Sequence, residues 1–537
     1  MNFLIALLVG AFSAFAFEPY ALWPLMPLAF AALCELIARA PTLRRALLIG
    51  WGFGVGQFCI GLNWIATAFT FQAAMPAWLG WIAVVLLSFY LAVYPMLAVG
   101  LAWKFGRTRR LAQVLALAGA WAICEWLRGT MFTGFAWNPV GVTLVDTPWR
   151  EVSRFIGTYG LTLVVVLCGG ALWLAAKREW RPAAGTILAI ALLLLLPRPA
   201  LSGSAGLKTF DVQNAPQPAG VPSLPRTAAP RSAPALIQST KIRIVQPNIG
   251  QQDKWREGFS EVAASRLNAL SGARDERSEL IFWPEAAVTD PLADNRALAR
   301  PYIMSERRRA TRMLGLGDVL LTGGLAFASS DGRNVDAAAN SVFVLTAGGN
   351  QVGRYDKAHL VPYGEYLPMR PILSAIGLSR LAPGDLDFAA GPGPRSIKLP
   401  GGWGKVGFQL CYEIIFSGEV VDRLDRPDFL FNPSNDAWFG RWGPPQHLAQ
   451  ARLRAAEEGI PVIRSTPTGI SAVVDARGEL LDSIPWRQAG VIETDLPSPV
   501  PGLSLFARLG NVIPLALGFL LLIAAIALGR RRRYRHT

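Results

Sequence analysis

Residues 405–413 read Lys-Val-Gly-Phe-Gln-Leu-Cys-Tyr-Glu. The run from Val406 to Leu410 has the composition of a short β-strand, and Cys411 follows it, so the thiol stands at a strand end and not inside an apolar core. A free thiol has a pKa of about 8.5 and is mostly protonated at neutral pH, so a nucleophilic role requires a neighbouring base or cation. Taken alone, Cys411 also reads as an ordinary buried thiol. Two features shift the balance: Tyr412 and Glu413 flank it, and it is the only thiol of its region. The other cysteines, Cys34, Cys59, Cys124 and Cys168, lie in strongly apolar segments, where a thiol behaves as a small hydrophobe. One cysteine forms no internal disulfide, so an oxidising compartment is neither required nor excluded.

Outward from Cys411, further β-rich runs occur at Ile242–Gln246, Leu280–Trp283, Leu320–Gly323, Ser341–Leu345 and Phe429–Asn432. Helical stretches at Glu257–Leu270 and Gln446–Glu458 alternate with them, which predicts an α/β layered domain over 241–500. In such folds, reactive groups collect beyond the carboxyl ends of strands. Four polar clusters occupy that position: Trp283-Pro284-Glu285; Tyr355-Asp356-Lys357 with Pro362-Tyr363-Gly364-Glu365; Cys411-Tyr412-Glu413; and Asn435 to Gly440.

Glu285 follows an apolar strand and a proline, where a lone carboxylate is poorly solvated, and this suits a general base. Lys357 beside a thiolate would favour the ionised sulfur and later hold a tetrahedral oxyanion. Singly, the first is also a helix cap or surface acid and the second a surface lysine. Together an acid, an amine and a thiol make a complete acyl-transfer apparatus. A Cys-His pair would have to use His359 or His447 and is less economical. Neither metal-ligand spacing nor a Gly-rich phosphate loop is present, so the reading calls for no metal and no cofactor.

The rest of the chain is of a different character. Of 537 residues, 52% are hydrophobic and 17% charged, against about 25% charged in ordinary soluble chains. The excess is concentrated in the first 197 residues and again near 511–529. Apolar runs at 2–17, 20–38, 46–70, 78–103, 111–131, 155–176, 183–197 and 511–529 predict about eight transmembrane helices. The first could pass for a signal peptide, but retention as a span is expected.

The net charge of +15 is explained by membrane topology and calls for no nucleic acid. Arg39, Arg44 and Arg45, then Lys104, Arg107, Arg109 and Arg110, then Lys177, Arg178 and Arg181, and finally Arg530 to Arg533 follow alternate spans, all on one side. Both termini are therefore expected in the cytoplasm and the 198–510 segment outside it. That segment opens with a Pro-, Ala- and Ser-rich linker over 198–240, and the chain closes with a basic tail at 530–537. Glu125 and Arg128, one turn apart on the fifth span, read either as functional groups or as an intrahelical ion pair.

The ordered motifs Trp-Pro-Glu at 285, Asp-Lys at 357 with His359-Leu360-Val361-Pro362 and Gly364-Glu365, and Cys-Tyr-Glu at 411–413 resemble the nitrilase superfamily, whose members carry a Glu, Lys, Cys triad on an αββα sandwich. With several N-terminal spans and one closing span, the whole chain resembles the membrane-embedded branch of that superfamily, the apolipoprotein N-acyltransferase family. The segment Thr466-Pro467-Thr468-Gly469 departs from the Asn-bearing version of the family.

The resemblance implies a bacterial inner-membrane enzyme with a periplasmic catalytic domain. It implies a phospholipid acyl donor, a thioester intermediate, and as acceptor the α-amino group of the diacylglyceryl-cysteine that begins an apolipoprotein. Carried over by motif, Glu285 would be the base, Lys357 the oxyanion and thiolate partner and Cys411 the nucleophile. Glu365, Tyr412 and Glu413 would support them, and Trp255 would stand by the lipid entrance. Each CH₂ taken out of hydrocarbon costs about 0.8 kcal/mol, so lipid substrates of this kind require a site at the bilayer. Aromatic loops at Phe132–Trp137, Pro444–His447 and Trp438-Phe439 are candidates for its rim or for an interfacial belt. A membrane-anchored amidase with water as acceptor and a non-catalytic lipid-binding scaffold are the competing expectations.

Overall fold

The computed structural model describes residues 1–71, 76–197, 240–254, 256, 258–272, 278–375, 380–381 and 386–530. Of the segments singled out above, the linker up to residue 239, the tail beyond Arg530 and Trp255 lie outside the described residues.

The apolar segments form helices where the composition places them. Among the described residues four are long and apolar enough to cross a membrane: Leu79–Gly106, Arg110–Thr133, Pro148–Ala176 and Val512–Arg530. A fifth is met if Leu43–Gly61 and Ile65–Phe71, bent by 48°, are taken as one span. The helices Asn2–Ala16, Leu25–Ala38 and Trp180–Leu195 are shorter, and at 1.5 Å per residue none reaches about 30 Å. Eight full-length spans are thus more than helix length and composition support. Apolarity marks what is buried in protein or lipid alike, and the count came from apolarity.

Small residues set the helix packing. A Cβ on Gly56 would stand 2.0 Å from the Leu7 carbonyl oxygen, and one on Gly10 2.0 Å from that of Phe53, so the helices Asn2–Ser13 and Leu43–Gly61 approach backbone to backbone. In the helix Arg110–Thr130, Glu125 accepts from Thr162 Oγ1 (2.7 Å), Val140 N–H (2.9 Å) and Trp121 Nε1 (3.2 Å). Arg128 donates to the carbonyls of Phe135 (3.0 Å) and Trp137 (2.9 Å). Both side chains therefore order the 131–140 loop, which reaches the catalytic domain.

That domain begins with β1 (Lys241–Gln246), β2 (Leu280–Phe282), β3 (Pro291–Asp294), β4 (Val319–Ala328), β5 (Ala337–Thr346) and β6 (Asn350–Asp356). It continues with β7 (Ser396–Lys398), β8 (Lys405–Phe408), β9 (Phe429–Pro433), β10 (Val462–Ser465), β11 (Ser471–Val474), β12 (Leu480–Ile484) and β13 (Gly490–Asp495). One sheet has the order β13-β1-β2-β4-β5-β6 with β3 beside β4, and the other β12-β11-β10-β9-β8-β7. In the first, β1, β2 and β4 are parallel, as are β8, β9 and β10 in the second.

Side chains alternate across each strand. Ile242, Ile244, Leu280 and Phe282 face Val406, Phe408, Phe429 and Phe431 between the sheets, where the Phe282 and Phe431 rings lie 4.9 Å apart. The other face of the first sheet, with Val245, Ile281, Trp283 and Leu320, takes up Leu267 and Ala310 from the helices Phe259–Ser271 and Arg300–Ala310. The outer face of the second packs Leu430, Val462 and Val474 against Leu448, Ala451 and Ala455 of the helix Gly443–Glu458. The layers are helix, sheet, sheet, helix, as the αββα expectation has it.

The helix Gly443–Glu458 also seats the domain on the apolar helices. Gln446 accepts from Trp137 Nε1 (2.8 Å) and donates to the Glu18 carbonyl (2.9 Å). Glu457 accepts from the Thr158 N–H (2.6 Å) and hydroxyl (2.7 Å) and from Ser417 (2.9 Å). Trp137 and His447 are fully buried, with ring centroids 5.3 Å apart. These two therefore belong to the seam between the halves and not to a lipid-facing rim, whereas Phe132 is exposed.

Candidate active site

The chain leaves β8 at Phe408 and turns sharply, with Cys411 at φ +53° opening the 3₁₀ turn Cys411–Ile415. This is a costly backbone conformation for a residue with a Cβ. Glu413 holds it. Its buried carboxylate accepts from the Leu410 N–H (2.7 Å), the Ala358 N–H (2.7 Å), the His359 N–H (3.0 Å) and the Tyr355 hydroxyl (2.9 and 3.0 Å). One side chain thus ties the Cys411 turn to the segment that carries Lys357. Tyr412 points the other way, its hydroxyl 3.4 Å from the Gly134 carbonyl on the loop between apolar helices.

Lys357 follows β6 and is almost wholly enclosed, at 1% exposure. Its Nζ lies 2.9 Å from Glu365 and 3.9 Å from Glu285 Oε1. Asn340 on β5 joins the two acids, donating from one amide to Glu285 Oε1 (2.8 Å) and Glu365 Oε1 (2.9 Å). Glu365 also accepts from the Val361 N–H (2.9 Å). The remaining oxygen, Glu285 Oε2, is buried and has no hydrogen-bond partner among the described residues. Gly323 on β4 permits this placement, because a Cβ there would come within 2.7 Å of Glu285 Cα.

Electrostatics fix the resting state. Burial pushes the Cys411 thiol well above its ordinary range and Glu285 adds to the rise, while Lys357 and the Asn435 N–H pull the other way without prevailing. For Lys357, burial disfavours the charge, but Glu365, Glu285 and Cys411 outweigh it and hold the ammonium above the usual lysine range. The resting pair is therefore thiol and ammonium. Of the two aids the sequence analysis named, a base or a cation, the cation does not by itself offset the desolvation of the sulfur.

Behind the Cys411 turn, His447 Nε2 sits 3.0 Å from the Cys411 carbonyl and Nδ1 2.9 Å from Asp436 Oδ1. Arg464 donates to both Asp436 oxygens (2.9 and 2.7 Å). Since a carbonyl only accepts, Nε2 carries the proton. Burial and Arg464 hold His447 below its ordinary pKa against the opposing pull of Asp436 and the Cys411 carbonyl, and Nδ1 lies between Asp436 Oδ1 and Arg464 Nη2, the latter at 3.0 Å. His447 thus touches the backbone of Cys411 and not its sulfur. His359 stacks on Phe416 at 3.9 Å. Neither is placed as a Cys-His partner.

The comparisons with known proteins agree with this architecture. Residues 9–171 match the family model described as apolipoprotein N-acyltransferase N-terminal domain, and residues 241–500 match carbon-nitrogen hydrolase. An apolipoprotein N-acyltransferase of Rhodopseudomonas palustris is 32% identical over 98% of this chain and 95% of its own length. Those of Bradyrhizobium diazoefficiens and Sinorhizobium medicae are 33% and 35% identical, over 99% and 97% of this chain and 95% of each relative. The chain belongs to the apolipoprotein N-acyltransferase family.

Within this family member, the structure brings together Glu285, Lys357, Cys411 and Glu365. It places Glu413 behind them as a brace and Tyr412 toward the apolar helices. Sequence reasoning missed Asn340, which joins the two acids from the middle of β5, and Lys254, whose Nζ donates to the Glu285 carbonyl at 3.1 Å. No local signal marks Asn340, a polar residue in a strand. Lys254 stands in the stretch read for Trp255, and the aromatic residue drew the attention.

Proposed function

We propose that this protein transfers a fatty acyl chain from a membrane phospholipid, through a thioester on Cys411, to the α-amino group of a diacylglyceryl-cysteine at the start of an apolipoprotein. The observation that carries the reading is the convergence of a buried thiol, a buried ammonium and a carboxylate with one unpaired oxygen, at a site seated on apolar helices. Glu285 takes the Cys411 proton, and the sulfur attacks the sn-1 ester carbonyl. Lys357 faces the oxyanion that forms. The C–O bond breaks, Glu285 returns its proton to the departing lysophospholipid, and the acyl group remains on sulfur.

In the second half Glu285 removes a proton from the incoming amine. The C–N bond forms, the C–S bond breaks and the thiol is restored. No cofactor takes part. An amine outcompetes water for a thioester, and a lipid-covered site excludes water. We place the membrane part at 1–197 with seven helices, a linker at 198–240, the catalytic domain at 241–500, a closing span at 511–529 and a basic tail at 530–537. The one-sided distribution of Arg and Lys supports cytoplasmic termini and a periplasmic catalytic domain in the bacterial inner membrane.

The test is incubation of the purified protein with labelled phospholipid and a diacylated lipopeptide. A hydroxylamine-sensitive acyl group on Cys411, absent in Cys411→Ala, followed by its appearance on the lipopeptide amine is the expected result. Release of free fatty acid with no lipopeptide acylation would reject the transferase in favour of a membrane-anchored hydrolase with the same triad.

A further inference from the structure

We propose that Lys254 is a second active-site cation, which fixes the backbone of Glu285 and offsets the surplus negative charge when the Cys411 thiolate forms. The inference rests on the reading of Cys411 as nucleophile and adds a positioning residue to it.

Lys254 ends the short helical turn Gln251–Lys254 after β1, and its side chain is buried at 5% exposure. Its Nζ donates to the main-chain carbonyl of Glu285 at 3.1 Å. An ammonium has three donors, and an uncharged carbonyl satisfies one of them without neutralising the charge. Among the described residues no carboxylate lies within ion-pair distance of Lys254. A buried cation without a counterion is costly, so its placement against the base and the nucleophile calls for a compensating role.

A charge count supplies that role. The single ammonium of Lys357 faces two carboxylates, Glu285 at 3.9 Å and Glu365 at 2.9 Å, which leaves the cluster one negative charge in excess. A thiolate at Cys411 would add a second, unless a further cation stands close by. The charged groups acting on Lys254 are Glu285 and Cys411. Those acting most strongly on Cys411 are Glu285, Lys357 and Asp436, the last already paired with Arg464. With Lys254 counted, Glu285, Glu365, Lys357 and Lys254 balance, Glu413 being held by its own four donors, and a thiolate leaves this set with a single negative charge.

The device has its own pH signature. Burial lowers Lys254 to about 8, with Glu285 and Cys411 holding it up. Its charge is present below that pH and lost as pH rises through it. Help to the sulfur is therefore greatest near neutrality and fades in alkali.

The test is the rate of iodoacetamide alkylation of Cys411 in the full-length, detergent-solubilised protein, followed on the Cys411 peptide by mass spectrometry. Relative to wild type, Lys254→Met is expected to react roughly tenfold more slowly near pH 7, as for one pKa unit, with the deficit shrinking toward none as pH passes well above about 8. Lys254→Arg, which keeps the charge, is expected within about threefold of wild type near neutrality. Equal rates for Lys254→Met and wild type near neutrality, or a deficit that is the same at every pH, would overturn the proposal. If thioester trapping fails while this signature is intact, the acyl-transfer reading falls and the Lys254 assignment stands, so the two failures are distinguishable.

Discussion

Two residues beside Glu285, Lys357 and Cys411 brace the cluster. Asn340 joins Glu285 and Glu365 through a single amide. Asn340→Ala leaves two buried carboxylates without that donor and is expected to lower kcat for lipopeptide acylation by about 10- to 100-fold, the range seen for supporting partners of a reactive group, with little change in KM. Glu413 presents a different case, because its four donors lie on both segments of the site. Glu413→Ala orphans them at about 1–3 kcal/mol each, so a loss of at least about 3 kcal/mol in thermal unfolding is expected, together with loss of activity. A variant with normal unfolding and normal acylation would contradict the bracing role. Cys411, Glu285 and Lys357 were singled out by residue type and by their place beyond strand ends, and the structure brings them into one cluster. Asn340 was not, since its partners come from segments 55 and 25 residues away.

At the level of elements, strand runs and helices were legible where composition and period agreed, as at Ile242–Gln246 and Phe429–Asn432. The edge strands were not. β7, β12 and β13 carry exposed polar positions, and pairing alone defines them. Among the apolar helices the decisive feature is close approach. Gly56→Leu would drive the helix Leu43–Gly61 away from Asn2–Ser13, because even a Cβ there meets a main-chain oxygen at 2.0 Å. Overpacking of this kind costs about 1–3 kcal/mol. A lowered unfolding temperature in detergent is the expected outcome, with Gly56→Ala intermediate, and wild-type stability of the Leu variant would show that the two helices part freely.

For the molecule as a whole, the catalytic domain and the apolar helices share a continuous polar seam. Glu457 sits at its centre, fully buried, between Thr158 of an apolar helix and Ser417 and Arg454 of the catalytic domain. Glu457→Ala removes one partner of a buried ion pair, a change that costs about 3–5 kcal/mol. The expected outcome is an earlier unfolding transition in detergent with alkylation of Cys411 unchanged at temperatures where the protein is folded, because Glu457 itself bonds to Thr158, Ser417 and Arg454 and not to Glu285, Lys357 or Cys411. An unchanged transition would mean that the two halves are held together elsewhere.

Residue chemistry and its order along the chain were enough to point to an α/β layered domain and to the apolar helices, because both depend on local period and composition, and a short set of ordered motifs singled out Glu285, Lys357 and Cys411. Tertiary structure decided the rest. It places a carboxylate against an ammonium, takes the thiol out of water so that it rests protonated, and brings Lys254 and Asn340 to the same cluster. Those outcomes depend on distance and dielectric between segments remote in sequence, and neither quantity is carried by any stretch of residues read alone.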